Sequence, residues 1–216
     1  MNPPNLTVPR GLLIAYEGID GSGKTTQSKL VFEELRRKGY PVRWTREPTD
    51  GQYGREIRRL VNEGKADDGA EIFRLFHEDR REHASRELYP ALVNRQIVIT
   101  DRYYFSSAAY QGSMGVDPDR ILHLSEAEFP RPDLVVWIDC NVDTALERIR
   151  ASRPEGHDSF EKKEFLEKVR SQYARFRRRD DWYWVEPELS LEQSVRTATA
   201  RIESVAAKAR RNAETP

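Results

Sequence analysis

Residues 18–25 read Gly-Ile-Asp-Gly-Ser-Gly-Lys-Thr, and this stretch restricts the fold of the chain more than any other. The pattern G-x-x-x-x-G-K-[ST] needs a strand running into it and a helix leaving it. Both are legible. Leu12 to Glu17 is an apolar run of strand length. Thr25 to Lys38 carries Leu30, Val31 and Leu35 on one side, and Gly39 stops it. A polyphosphate bears several negative charges, so backbone N–H groups must approach it with no side chain in the way. Gly18, Gly21 and Gly23 permit an amide-inward curl, and the start of the helix adds partial positive charge. Ile19, Asp20, Ser22 and Thr26 complete the cradle. Lys24 is placed to reach the outer phosphates, and the Thr25 hydroxyl to ligate Mg²⁺. The segment predicts a site for a Mg²⁺-nucleoside triphosphate.

The rest of the chain continues the alternation. Further strands are predicted at Pro41–Thr45, Ile97–Thr100, Leu134–Asp139 and Trp182–Val185. Helices are predicted near 70–93, 104–111, 118–128, 142–150 and 161–179, with a last one from Ser190 to about Ala207. Gln193 follows Ser190 at capping-box spacing. Strands alternating with helices argue for a parallel sheet covered on both faces. Residues 1–216 fit one domain. The first ten and last several residues read as frayed ends. The stretch Ala151–Ser159, with Pro154 and Gly156, reads as the least structured.

Composition excludes some functions. Lysine plus arginine and aspartate plus glutamate are equal at 36 each, so the chain as a whole is no basic nucleic-acid binder. The single cysteine, Cys140, cannot form an internal disulfide or a Cys-rich zinc site; it ends an apolar run and is expected to be buried. No apolar stretch has the roughly 18–20 residues of a membrane span. Met1 to Arg10 lacks an apolar signal core, which points to a cytoplasmic protein.

Two acids extend the phosphate-loop chemistry. Asp101 ends the run Ile97-Val98-Ile99-Thr100. A strand-end aspartate alone would read as a turn or helix cap. Beside a phosphate loop it is expected to hold Mg²⁺ through water. Asp20 lies inside the loop, where an acid is costly unless it serves the metal or an acceptor group.

The chain resembles thymidylate kinase, a family of phosphate-loop nucleoside monophosphate kinases. The residues that carry the likeness run in order. They are Glu17 to Gln27, then Thr45-Arg46-Glu47-Pro48, then Leu75-Phe76 with Asp79-Arg80. Asp101-Arg102-Tyr103 follows, with Ser106-Ser107 and Ala109 to Gly112, then Pro132 to Leu134, and Phe165 with Val169-Arg170 and Tyr173. The resemblance implies an α/β phosphate-loop fold with a parallel five-stranded sheet, helices on both faces and a short mobile lid at about 148–161. It implies transfer of the γ-phosphoryl of ATP to thymidine monophosphate (dTMP), with Mg²⁺, by a homodimer. It suggests that Phe76 stacks on the acceptor base and that Arg80, four residues on, contacts the pyrimidine edge. On its own Phe76 would read as core. Arg46 and Arg102 resemble arginines near the acceptor phosphate and the transferring group. Ser106, Ser107, Tyr110 and Gln111 match positions lining the acceptor sugar and base. Neither a nucleic acid nor a membrane is implied as partner.

Three departures stand out. Many family members have Gly-Gly-Thr after Glu-Pro; here the loop reads Thr49-Asp50-Gly51-Gln52-Tyr53-Gly54. Position 21 is Gly, where one subtype places an arginine. The lid must then supply a cation, with Arg148, Arg150 and Arg153 available, Arg150 or Arg153 expected to act and Arg148 expected as a helix-face residue. Finally, the segment Arg153 to Glu161 lacks an intact Asp-Arg-x-Glu pattern. The loop alone leaves other readings open: a kinase of another nucleoside monophosphate or of a nucleoside, or a switch ATPase acting on a protein partner.

Overall fold

The computed structural model describes residue 6, residues 8–152 and residues 160–214. The elements run β1 (Leu12–Glu17), α1 (Lys24–Arg37), β2 (Val42–Arg46), α2 (Gln52–Asn62) and α3 (Gly69–His83). A π-helical turn (Ala84–Leu88) leads into α4 (Tyr89–Val93), then β3 (Ile97–Asp101), α5 (Tyr104–Ser113) and α6 (Pro118–Glu128). The chain continues through β4 (Leu134–Ile138), α7 (Val142–Ser152), α8 (Phe160–Phe176), β5 (Trp182–Val185) and α9 (Leu191–Glu214). The five strands form one sheet in the order β2-β3-β1-β4-β5, and every pairing is parallel.

The central strands are apolar without interruption because both faces of the sheet are covered. Side chains alternate across a strand. Leu12, Ile14 and Tyr16 of β1 pack with Val31 and Leu35 of α1 and with Ala198, Ile202 and Ala206 of α9. Leu13 and Ala15 face the other way, into a core with Phe105 and Ala108 of α5 and Val169 and Tyr173 of α8. The edge strands β2 and β5 are only partly buried. β1 lies between β3 and β4, and the chain crosses to opposite halves of the sheet after it. In such a sheet the crevice for a ligand opens at the carboxyl ends of the strands, where the order reverses. Glu17, Asp101 and Ile138 end the three central strands there.

The alternation, both-face covering and capping box are as expected; Ser190 N–H donates to Gln193 Oε1 at 3.0 Å and Gln193 N–H to Ser190 Oγ at 3.2 Å. Cys140 is buried. Three expectations need correction. The N-terminal segment is not simply frayed: Val8 is 1% exposed in the core, Leu6 N–H donates to Gly39 C=O, and Arg10 pairs with Asp133. The last helix continues to Glu214. The segment after Pro48 is no mere loop, since it turns into α2, whose Ile57 packs with Ile72 and Leu75 of α3.

The start of α2 is held tightly. Buried Asp79 accepts the Thr49 N–H at 2.8 Å and the Thr49 hydroxyl at 2.6 Å. A Cβ on Gly54 would lie 1.9 Å from the Thr49 carbonyl oxygen and 2.8 Å from Asp79 Oδ1. Gly54→Ala is therefore expected to cost about 1–3 kcal/mol, as overpacking does, read as a lower urea midpoint. An unchanged midpoint would show that this junction yields freely.

Candidate active site

The phosphate loop links β1 to α1. Gly21 has φ 77°, and a Cβ there would lie 2.3 Å from the Ala145 carbonyl oxygen of α7. Glycine is thus required by conformation and by the close approach of α7. Helix α1 starts with Gly23 as N-cap, no side-chain cap and no acid in its first turn. By contrast, Asp68 and Asp117 cap α3 and α6. The positive end of α1 is left for an external anion.

Lys24 is 5% exposed and donates to the Ile19 carbonyl at 2.7 Å. Desolvation, and then the nearby Arg102 charge, push its pKa down to about 8. A phosphate at the loop would act in the opposite sense. The Thr25 hydroxyl donates to Asp101 Oδ2, while Asp101 Oδ1 is buried with no hydrogen-bond partner among the described residues. Asp20 accepts from Arg102 Nη2, and its backbone N–H donates to the Tyr110 hydroxyl at 2.8 Å. Desolvation raises the Asp20 pKa, but Arg102 and Lys24 outweigh it and hold the carboxyl below its usual range.

Arg102 occupies the left-handed region at φ 75°, a costly conformation for a residue with a Cβ. Its N–H donates to the Tyr16 carbonyl at 2.9 Å, and Thr100 Oγ1 donates to its carbonyl at 2.8 Å. Beneath it lies Glu17, fully buried. Glu17 accepts from the N–H groups of Tyr103 (2.9 Å) and Ser106 (3.1 Å), from the Ser106 hydroxyl and from the Tyr173 hydroxyl (2.9 Å). Ser106 Oγ in turn accepts from Arg102 Nη1 at 3.0 Å.

A cavity of about 610 Å³ opens beside the loop, and Asp20, Thr25, Arg46, Phe76, Asp101, Arg102, Ser106, Ser107, Tyr110 and Gln111 all line it. Segments far apart in sequence thus meet in one place. Arg80 is the exception. It is 1% exposed and lies behind the wall, donating to Glu47 Oε2 through Nε (2.9 Å) and Nη2 (2.7 Å) and to Ser107 Oγ at 3.2 Å. Its Nη1 has no partner among the described residues. His83 holds the other Glu47 oxygen at 3.0 Å and bonds Thr45 Oγ1 at 2.7 Å. Burial raises the Glu47 pKa, but Arg80 and His83 outweigh it and keep the carboxyl below its usual value. Sequence reasoning assigned no role to Glu17, Glu47, His83 or Arg58, and Arg58 also lines the cavity. Glu17 and Glu47 stood inside quoted motifs, but nothing local marks them as buried hubs.

A second, smaller cavity of about 320 Å³ lies on the other flank of the loop, lined by Ser22, Gly23, Thr26, Asn141, Arg148 and Glu186 among others. Thr25 faces one cavity and Thr26 the other. Arg148, expected as a helix-face residue, extends from α7 to the phosphate loop. Its Nη1 lies 3.4 Å from the Gly21 carbonyl and 3.3 Å from that of Ser22. Arg150 is in the last turn of α7. Arg153 and the rest of 153–159 in the expected lid lie outside the described residues.

The sequence profile of the family described as thymidylate kinase matches residues 16–198. A thymidylate kinase of Desulfotalea psychrophila is 44% identical over 159 residues, 74% of this chain and 78% of the relative. A probable thymidylate kinase of Pyrococcus horikoshii is 44% identical over 146 residues, 65% of this chain and 71% of the relative. The crystal structure of thymidylate kinase from Ehrlichia chaffeensis superposes with a TM-score of 0.72 at 27% identity, covering 90% of this chain and 99% of that one. These likenesses give no support to the other readings that the phosphate loop alone left open.

The Glu17 environment has a measurable consequence. Desolvation outweighs the hydrogen bonds from Ser106 and Tyr173 and the charges of Arg102 and Lys24, raising its pKa to about 7. A carboxyl raised on folding favours the fold in its protonated form, so stability is lost as pH climbs from its unfolded value, about 4.3, through about 7. Glu17→Gln lacks this titration. The wild type's advantage in thermal midpoint over Glu17→Gln is therefore expected to shrink between pH 5 and 8. A gap independent of pH would show that Glu17 titrates normally.

Proposed function

The chain belongs to the thymidylate kinase family, and on that premise we propose that its two cavities hold the donor and acceptor of one phosphoryl transfer. The chain is an ATP-dependent nucleoside monophosphate kinase. It transfers the γ-phosphoryl of ATP to dTMP, giving thymidine diphosphate and ADP, a step of nucleotide biosynthesis toward dTTP. The observation that carries the placement is the meeting of Arg46, Phe76, Arg102 and Gln111 in one cavity with Thr25 and Asp101 of the phosphate-loop side.

In this reading Gly18 to Thr26 cradle the triphosphate, and Lys24 leaves the Ile19 carbonyl for the outer phosphates. Arg102, held by Asp20 and Ser106, stands between donor and acceptor. Arg46 takes the acceptor phosphate, and Phe76 stacks on the base. Arg80 has one guanidinium nitrogen without a partner among the described residues; that nitrogen is buried behind the cavity wall, so it would meet a carbonyl oxygen on the pyrimidine edge only where the wall shifts on binding. Thymine offers an acceptor there and cytosine a donor; arginine can only donate. Ser106, Ser107, Tyr110 and Gln111 enclose the sugar and base. A phosphate ester with a second pKa of about 6 needs no strong base near neutral pH, so catalysis rests on positioning and charge. Arg150 and Arg153 remain candidates for closing over the phosphates, and Arg148, already at the Gly21 and Ser22 carbonyls, joins them.

The residues fit Mg²⁺. Asp101 presents a buried oxygen without a hydrogen-bond partner among the described residues beside the Thr25 hydroxyl, and Asp20 is kept ionised nearby. These hard oxygen donors suit a hard cation that is shared with phosphates. When bound, Mg²⁺ would neutralise phosphate charge. A homodimer is expected from the family, and a cytoplasmic setting is in keeping with the use of ATP. No helix among the described residues is long and apolar enough to cross a membrane.

Two measurements test this. Lys24→Ala should lower kcat by about 10²-fold or more, as losing a charge-stabilising donor does, with an unchanged melting curve; near-normal turnover would sink the placement. With ATP and Mg²⁺, wild-type kcat/KM should rank dTMP first, deoxyuridine monophosphate lower, and cytidine and purine monophosphates poor. Phe76→Ala should weaken all acceptors alike, because stacking tolerates any base. A purine monophosphate used fastest would overturn the acceptor placement alone.

A further inference from the structure

The loop that departs from the Gly-Gly-Thr pattern carries an acid at position 50, and the structure shows what it touches. Asp50 Oδ1 accepts from Arg46 Nη2 at 3.1 Å and from Arg58 Nη2 at 3.0 Å. Both arginines line the acceptor cavity, whereas Asp50 does not. The backbone around Asp50 is fixed. Thr49 is bonded to buried Asp79, Arg55 Nη1 donates to the Asp50 carbonyl at 2.7 Å, and Arg58 Nη1 donates to the Pro48 carbonyl at 3.0 Å. The carboxylate is therefore presented by an anchored loop.

We propose that Asp50 tunes the affinity of the acceptor site for phosphate, as an internal anion that holds Arg46 and Arg58 until a nucleotide phosphate takes them. The proposal rests on the placement of the acceptor phosphate at Arg46. A carboxylate offers one negative charge, and the phosphate ester of a nucleoside monophosphate carries about −1.5 to −2 near neutral pH. Arginine's fork accepts either anion. The Asp50 side chain is 77% exposed, Arg46 52% and Arg58 36%, so each pair is screened and individually weak. Weakness suits the role, because the dianion must win. An acceptor lacking a phosphate, such as thymidine, gains nothing at these arginines and leaves the pairs in place. Asp50 thus weakens binding of every phosphorylated acceptor to a degree and leaves the binding of unphosphorylated nucleosides as it is.

The test compares Asp50→Asn with the wild type. Its dTMP KM is expected to fall about two- to tenfold, the range that two exposed ion pairs span, with kcat little changed. The inhibition constant of thymidine, which has no phosphate, should stay constant. Holding is separated from simple repulsion by a double-mutant comparison. In an Arg46→Ala/Arg58→Ala background, adding Asp50→Asn should leave dTMP KM where it was. A fall that persists in that background would mean that Asp50 repels the phosphate directly, and the proposal fails. An unchanged or raised dTMP KM in Asp50→Asn alone also overturns it, the latter by showing that the carboxylate organises the arginines. If Arg46→Ala/Arg58→Ala itself leaves dTMP KM unmoved, the placement of the acceptor phosphate fails first.

Discussion

Glu17 takes hydrogen bonds from three parts of the fold at once: the turn after β3, the first turn of α5, and α8 through Tyr173. A buried carboxylate is tolerated only when donors surround it, and each of these donors fixes a feature of the site. The bond to Tyr103 N–H braces the left-handed residue next to it, Arg102. The bond to Ser106 sets the hydroxyl on which Arg102 Nη1 rests. The bond to Tyr173 ties α8 to the floor of the phosphate loop. Without this acceptor, the strained turn would lose its brace and Arg102 its direction.

The charges above Glu17 follow one logic. Lys24 is desolvated beside another cation, and among the described residues Arg80 keeps one buried nitrogen and Asp101 one buried oxygen without a hydrogen-bond partner. Each is an electrostatic cost in the free protein. Under the proposed function each would be relieved by a ligand of opposite character: phosphates for Lys24, a pyrimidine carbonyl for Arg80, a hard cation for Asp101. Groups fixed in advance stabilise developing charge without reorganising during the reaction. The packing that holds them is ordinary sheet and helix burial, so the fold supplies the preorganisation.

How much of this could be read in the sequence depends on how local each cause is. The phosphate loop is contiguous, and its strand and helix follow from unbroken apolar and amphipathic runs. β1, β3 and β4 are legible because burial on both faces leaves no polar interruption. Helix α2 was not, since it begins on Gly51 with no side-chain cap, has no acid in its first turn, and buries only Gly54 and Ile57. Its helical face is decided by α3. The buried Val8 was masked by a proline-rich, polar neighbourhood. The family likeness named Phe76 and Arg80, yet the partner of Arg80 is Glu47, 33 residues away, a pairing that no spacing rule provides. Arg148 read as a helix-face residue because its contacts lie in a loop 126 and 127 positions earlier.

The central claim is that the loop and the cavity serve a single transfer whose acceptor is the phosphate of dTMP. The most direct measurement is ³¹P NMR of ATP, Mg²⁺ and dTMP turned over by the wild-type chain. The monoester resonance of dTMP should give way to the paired resonances of thymidine diphosphate in step with ADP, with no build-up of free phosphate. Free phosphate accumulating at the same rate with and without dTMP would contradict the claim, because water rather than the nucleotide would then be the acceptor.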